Sequence, residues 1–411
     1  MKSPASFLYG LVLTASLYTA NAFAGLVANP ASVEDVKQVL KLYQIDKATY
    51  EGWRRQLEIQ NRNSTDPGST YSYDALKDVI TVDAMAEKMA AELSKYWSAD
   101  YARLFLKEAN SAAAKSSLKL ELLQNSAGLQ AAKEAFSKLP NKERLAISDY
   151  RRSLSYSSFV NASEQMRNNP GNFISTWINN VVQQRVAHNR RMFADFLELS
   201  LKAEEDNYTS LLPQLKRPIP VGVKQLDAEF ELSYQMQRRR MEFTEKFYRL
   251  IPANYLDQIL SSESLANPAK IEANLITLSE YETYHEEFYR ETENLLDSYF
   301  QQVSAIPLTK TNRQERLQNE QNGVVKSINT ILQQAELTRS LHQQSRRILE
   351  LCLKNKGKIS LRDKTLMFDD MAVLTEYRTL FAELREISKQ LEIQNEEYLR
   401  RNRERIKSLR S

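Results

Sequence analysis

The chain is short of the residues that punctuate strands and build loops. Among 411 residues only 9 are glycine and 11 proline, both below ordinary usage. Sheet-rich folds consume Gly, Pro and Asn-Gly pairs in their turns. The Asn322-Gly323 pair has polar, helix-periodic flanks and does not read as a hairpin. So few glycines also leave little material for a backbone phosphate cradle. A single cysteine, Cys352, excludes an internal disulfide and any paired-cysteine motif. Its neighbours Ile348, Leu349, Leu351 and Leu353 mark it as a small buried hydrophobe. Neither sign of charge dominates: 56 basic against 52 acidic residues leave +4. That balance gives no long-range field for nucleic acid or anionic lipid, so no nucleic-acid partner is expected.

What is abundant is Ala, Leu, Glu, Gln, Lys and Arg, the strong helix formers. Mean hydropathy is −0.53, which suits much solvated helix surface over a limited core. The expected fold is all-α, a multi-helix array with little or no sheet. Ser32 and Ser98 are placed as helix N-caps, and Ser126-Ala127-Gly128 reads as a helix break. The strongest amphipathic stripe combines Ile174, Trp177, Ile178, Val181, Val182, Val186, Phe193, Phe196 and Leu197, spaced to face a core.

The N-terminus carries an address. Lys2, an apolar run from Phe7 to Tyr18, and the small-x-small site Ala22-Phe23-Ala24 before Gly25 have the layout of a secretory signal peptide over 1–24. The run is too short to span a bilayer, which takes roughly 20 apolar residues. A periplasmic or secreted protein is expected, with no transmembrane segment after processing and peripheral contact with the envelope.

Proline and glycine in Leu212–Val223 mark a linker at 213–223, between a helical region at 25–212 and another at 224–411. The second region ends in two long helices, 312–355 and 366–409. Val324, Ile328, Ile331, Ala335, Leu349 and Cys352 keep one heptad seam, with His342 and Ser345 in it. Val373, Tyr377, Leu380, Leu384, Ile387, Leu391 and Tyr398 keep another, with Gln394 in its gap. A sustained 3.5-residue repeat predicts a long coiled-coil-like antiparallel helical hairpin, or a coiled coil with a second copy. A turn near Gly357 would set Leu391 beside the Val324 end and Ile387 beside Ile328.

Two stretches echo each other. With one gap, Leu139-Pro140, Leu145, Ser153-Leu154 and Val160 align with Ile251-Pro252, Leu256, Ser264-Leu265 and Ile271, read as an ancient duplication or as two helical hairpins that share turn chemistry by chance. Around the first stretch, Leu139-Pro140-Asn141-Lys142-Glu143 leads into Asp149-Tyr150-Arg151-Arg152-Ser153-Leu154-Ser155-Tyr156. Over 139–165 the chain resembles a bacterial exported all-helical domain family of unknown function. Leu154 and Tyr156 stand where that family has Pro and Gly. The resemblance implies an exported helical domain and supplies no catalytic residues.

Candidate chemistry is sparse. The histidines are His188, His285 and His342. Glu282 and His285 form a Glu-x-x-His pair on one helical face. Di-iron bundles need two such motifs, and Arg185 and Arg339 stand three residues before the other histidines. Glu282 and His285 are therefore weak metal candidates, and no cofactor is expected. Tyr281, Tyr284 and Phe288 form an aromatic stripe, read as core or as a groove for a partner helix. Arg400, Arg401 and Arg403 lie in a basic tail, read as complementing a helix C-terminus or docking on an anionic surface. The expected function is a non-enzymatic exported scaffold or binding protein that meets a protein partner or itself through its long helices. The alternative is a cell-envelope hydrolase using helix-borne carboxylates.

Overall fold

Hydroxyl side chains start most of the N-terminal helices, each accepting a backbone N–H three residues on, which satisfies one orphan donor of the first turn. Ser32 caps α1 (Val33–Leu42), Ser72 caps α3 (Tyr73–Leu76), Thr81 caps α4 (Val82–Leu93), Ser98 caps α5 (Ala99–Glu108) and Ser111 caps α6 (Ala112–Ala127). Helix α2 covers Ile45–Asn63. Gly128, at φ +92°, separates α6 from α7 (Leu129–Ser137), and α8 (Asn141–Arg151) and α9 (Leu154–Asn168) follow. These are features of a computed structural model that describes residues 27–65, 70–168, 173–205, 211–252, 254–306 and 313–410. The expected signal segment, with Ala22, Phe23, Ala24 and Gly25, lies outside the described residues.

Almost all the rest is helical too: α10 (Phe173–Glu205), α11 (Lys224–Leu250), the short α12 (Tyr255–Ile259) and α13 (Ser262–Leu265), then α14 (Pro268–Ala305) and α15 (Arg313–Lys354). A β-hairpin, β1 (Ile359–Arg362) and β2 (Thr365–Phe368), leads into α16 (Met371–Arg410). The fold is all-α, as the composition implies. No described helix is long and apolar enough to cross a membrane.

Contacts divide the described chain between Gln184 and Arg185, inside α10, whereas composition places a boundary at 213–223. The first unit takes the chain up to Gln184 together with Val221–Val223. Its core is aromatic. Phe105 lies 5.5 Å from Trp97, 5.1 Å from Phe159 and 5.5 Å from Tyr43, centroid to centroid. Val36, Val39, Leu40, Met85, Met89 and Leu93 are buried in the same unit. The amphipathic stripe of α10 is buried from Ile178 onward, while Trp177, expected to be inaccessible, is half-buried.

The second unit takes Arg185–Pro220 and the chain from Lys224 onward. In it α11, α14, α15 and α16 alternate in direction. Phe243 and Phe247 of α11 meet Phe288 of α14, and Leu232 meets Val303. Between α14 and α15, Tyr289 bonds Thr338 at 2.8 Å and Tyr299 bonds Glu320 at 3.4 Å. Gln344 of α15 bonds Glu383 of α16, and Arg240 of α11 reaches Tyr398 of α16. The main core runs between these helices and includes Leu278, Leu341, Ile348, Leu349, Cys352, Leu380 and Leu384.

The β-hairpin corrects the expected helix at 366–409, which starts at Met371 instead. Asp363 and Lys364 have φ 48° and 62°, the left-handed pair of a two-residue hairpin turn. Ile359, Leu366 and Phe368 alternate onto the core while Ser360 and Met367 face water. The hairpin also moves the helical register. Its centre is the Asp363-Lys364 turn rather than Gly357, with Ile359 opposite Phe368 and Arg362 opposite Thr365. Gln344 and Glu383 stand at equal steps from that turn. Ile387 accordingly lines a groove with Ser340, Gln343 and Gln344 instead of meeting Ile328.

The proposed internal echo does not share backbone roles. Ser153 caps α9 by accepting from the Tyr156 N–H at 3.3 Å, and Leu154 is exposed. Its counterpart Ser264 lies inside α13, whose cap is Ser261, and Leu265 is buried.

Candidate functional site

A set of titratable side chains in the second unit lines a half-open cleft between α14 and α15. Its volume is about 350 Å³, and Glu282, His285, Glu286 and Tyr289 face Thr338, Arg339, His342 and Arg346 across it. The helical repeat explains each side. Glu282, His285, Glu286 and Tyr289 recur at spacings of three and four, as do Ala335, Thr338, Arg339, His342 and Arg346.

The two imidazoles meet edge to face, with ring centroids 4.8 Å apart and planes at 68°. His285 Nδ1 donates to the Tyr281 carbonyl at 2.9 Å. His342 Nε2 lies 2.8 Å from the Tyr255 hydroxyl, supplied by α12. Burial pushes both imidazoles below their ordinary range. For His342, 2 % exposed, burial first and then His285 and Arg346 take the value to about 3. Both rings are therefore neutral at pH 7. Burial also raises the Tyr255 phenol.

The carboxylates of the cleft are held by arginines. Arg346 bonds Glu282 at 2.8 Å and also the Ser279 hydroxyl at 2.8 Å. Arg339 grips Glu286 with both ends of its guanidinium, which lowers the Glu286 carboxyl. An acid–base pair needs one carboxyl held protonated near neutral pH. Glu286 is shifted the opposite way.

The sequence candidates are thus distributed as follows. Glu282 and His285 share the cleft, but Glu282 binds Arg346 and His285 binds its own helix, so they make no direct pair. Among the described residues no three His, Cys, Asp or Glu side chains are placed together to hold a metal ion. Tyr281 and Tyr284 pack on the main core, Tyr281 lying 5.1 Å from Tyr255. Phe288 lies 4.5 Å from Phe247. Arg400 pairs with Glu404 at 3.2 Å, Arg401 pairs with Glu397, and Arg403 is exposed with interactions of its own. The basic tail is thus tied down at its end as well, where Arg410 bonds Asp195 at 2.7 Å and Glu198 at 2.6 Å. Cys352 is buried and its thiol is pushed up to about 12, which suppresses the reactive thiolate.

The spacing along the chain sets His342 in a seam and His285 on a helix face, and nothing in it connects them. The joining signal is present only in the helix pairing, because Tyr255, His285 and His342 come from three elements.

A second polar cluster lies in the first unit. Glu121 of α6 is buried; its Oε1 accepts from the Tyr156 hydroxyl at 2.7 Å and Ser117 at 3.1 Å. Arg151 lies 3.6 Å from the same oxygen and donates to Ser117 at 2.9 Å. Glu121 Oε2 is buried with no hydrogen-bond partner. Burial raises the Glu121 carboxyl against the opposing pull of Arg151.

No family model, no curated protein and no solved structure matches this chain.

Proposed function

We propose that this chain is a non-enzymatic helical scaffold or binding protein exported to the bacterial cell envelope, which engages a protein partner or a second copy along its long helices. One observation carries the reading. Val325 and Leu332, one heptad apart on α15, are 50 % and 47 % exposed, and Ile393 of α16 is 55 % exposed. Apolar side chains repeated at coiled-coil spacing and left in water mark a face for another helix. Support also comes from α15 and α16 themselves, 42 and 40 residues long, or about 60 Å each at 1.5 Å per residue. The carboxylates of the α14–α15 cleft speak against the hydrolase alternative, since arginines hold both.

The test is site-specific photo-crosslinking from position 332 in the native host, read after osmotic release of the periplasm. The expected result is a discrete adduct, lost in a Val325→Lys/Leu332→Lys variant that keeps its helical circular dichroism. A chain that stays in the cytoplasm, or forms no adduct from 332 or 393, would refute the reading.

A further inference from the structure

The chain's charge is close to balance, but it is not evenly placed. Across the end of α15, β1 and the hairpin turn stand Lys354, Lys356, Lys358, Arg362 and Lys364, with Asp363 the one acid among them. All five cations are exposed. Lys358 pairs with Asp370 at 3.2 Å, and Asp370 also accepts the Ala372 N–H at 2.9 Å. Lys354, Lys356, Arg362 and Lys364 have no carboxylate partner among the described residues. The basic tail of α16 differs, since Arg400, Arg401 and Arg410 are each tied to a carboxylate.

Large apolar side chains stand among these cations. Leu361, Met367 and Met371 are 41 %, 42 % and 70 % exposed. Strand pairing sets Arg362 opposite Thr365 and Ser360 opposite Met367, so Arg362 and Met367 share the hairpin face turned from the core. Leu361 lies opposite Leu366 on the other face, beyond the cover that buries Ile359. Met371 opens α16. Basic residues on an edge strand guard it against pairing with another strand. That explains neither Lys354 and Lys356, which precede the strand, nor three apolar side chains left in water.

We propose that the β-hairpin and its flanking helix ends form a docking surface for an anionic phospholipid bilayer. Leu361, Met367 and Met371 enter the interface, and Lys354, Lys356, Arg362 and Lys364 meet lipid phosphates. Interfacial binding grows with the apolar area buried and with the attraction of basic groups to anionic headgroups, and firm attachment takes both. Long Lys and Arg side chains reach the phosphates while the apolar ones sit deeper. An acidic protein surface would satisfy the cations, whereas bare apolar side chains between unpaired cations match a headgroup–acyl boundary. The attraction acts within a Debye length of about 8 Å at physiological salt, so a near-neutral whole chain does not oppose it. Binding of this kind does not depend on the scaffold reading.

The test uses the chain from Gly25 onward, which keeps every described residue, at physiological salt. Vesicles of mixed phosphatidylglycerol and phosphatidylcholine should carry it down on sedimentation, and phosphatidylcholine alone should not. Lys356→Gln/Arg362→Gln/Lys364→Gln should weaken binding by more than about tenfold. Arg400→Gln/Arg401→Gln/Arg403→Gln makes the same change in net charge and should leave binding within about threefold. Helical circular dichroism checks both variants. Met367→Trp, which keeps every cation, gives an independent reading. Its emission should be quenched by brominated lipid, while Trp53, Trp97 and Trp177, all in the first unit, should be spared. No sedimentation with anionic vesicles, equal loss in the two triple variants, or a Met367→Trp signal untouched by brominated lipid would overturn the proposal. So would binding to immobilised polyglutamate without binding to vesicles, which would assign the surface to an acidic protein.

Discussion

Tyr156 donates its hydroxyl to Glu121 Oε1 at 2.7 Å across the buried interior of the first unit. That bond, with Ser117 and Arg151 on the same oxygen, leaves Oε2 bare. A buried carboxylate so poorly served prefers its proton, and burial accordingly raises the Glu121 carboxyl. For an acid raised on folding, the stabilising contribution is complete below the unfolded value and is lost as pH rises through the folded one. Glu121→Gln imitates the protonated acid and keeps an acceptor for Tyr156. Its stability relative to wild type should therefore improve between pH 4 and pH 8. Glu121→Ala leaves the Tyr156 hydroxyl without its acceptor and should cost about 1–3 kcal/mol. Urea unfolding at the two pH values measures both. A Glu121→Gln variant that loses ground as pH rises would show the carboxylate to be the preferred form.

The antiparallel register of α15 and α16 predicts a specific cross-link. With Gln344 bonded to Glu383, Gln344→Cys/Glu383→Cys in a Cys352→Ala background should close an intramolecular disulfide in dilute protein. Ile328→Cys/Ile387→Cys should not, because Ile387 lies beside Ser340 and Gln344. Mobility on non-reducing gels separates the outcomes. Efficient closure of the second pair and not the first would restore a turn centred on Gly357.

The difference between those registers shows where the sequence was legible. Apolar spacing is local and so legible: Val324, Ala335, Leu349, Val373, Leu380 and Leu384 are buried, while Ile328, Ile331, Tyr377, Ile387, Leu391 and Tyr398 of the same seams are only partly buried. The hairpin between the seams was not legible, because its turn is Asp363-Lys364 rather than a glycine-bearing pair and its strands are four residues each. Nor could periodicity join His285 to His342, since pairing between helices is not written in the spacing of either. Arg151, Ser153, Ser155 and Tyr156 bond within the polar network around Glu121 and Glu108, while Tyr150 bonds the Tyr43 hydroxyl. Trp177 sits at the margin of its stripe, where helical phase alone does not separate half-buried from buried.

The same turn offers a stabilising substitution. Lys364 holds φ 62°, a left-handed conformation that a side chain adopts at a cost and glycine adopts freely. Lys364 is exposed, so replacing it removes no packing. Lys364→Gly should therefore raise stability by a few tenths to about 1 kcal/mol. Thermal unfolding reads this directly, and a lower midpoint would mean that the lysine makes a compensating contact.

Gly222 carries the opposite expectation, and for two separable reasons. Its φ is +96°, and a Cβ placed on it would lie 2.6 Å from Cγ and Cδ2 of Leu76. Leu76 is fully buried, so its side chain has nowhere to retreat. The backbone cannot drift away freely either, because the Gly222 carbonyl accepts from the Ser72 N–H at 2.8 Å and Val223 bridges Tyr71. Strain at a left-handed position and overpacking each cost about 1–3 kcal/mol, so Gly222→Ala should destabilise by roughly 2–5 kcal/mol. A double-mutant cycle separates the causes. Leu76→Ala removes the obstructing atoms and leaves the backbone angle as it is. If the clash dominates, Gly222→Ala should cost much less in the Leu76→Ala background than in wild type. Equal cost in both backgrounds would assign the penalty to φ alone. A Gly222→Ala chain as stable as wild type would show that residues 221–223 are not held against α3 as the structure places them.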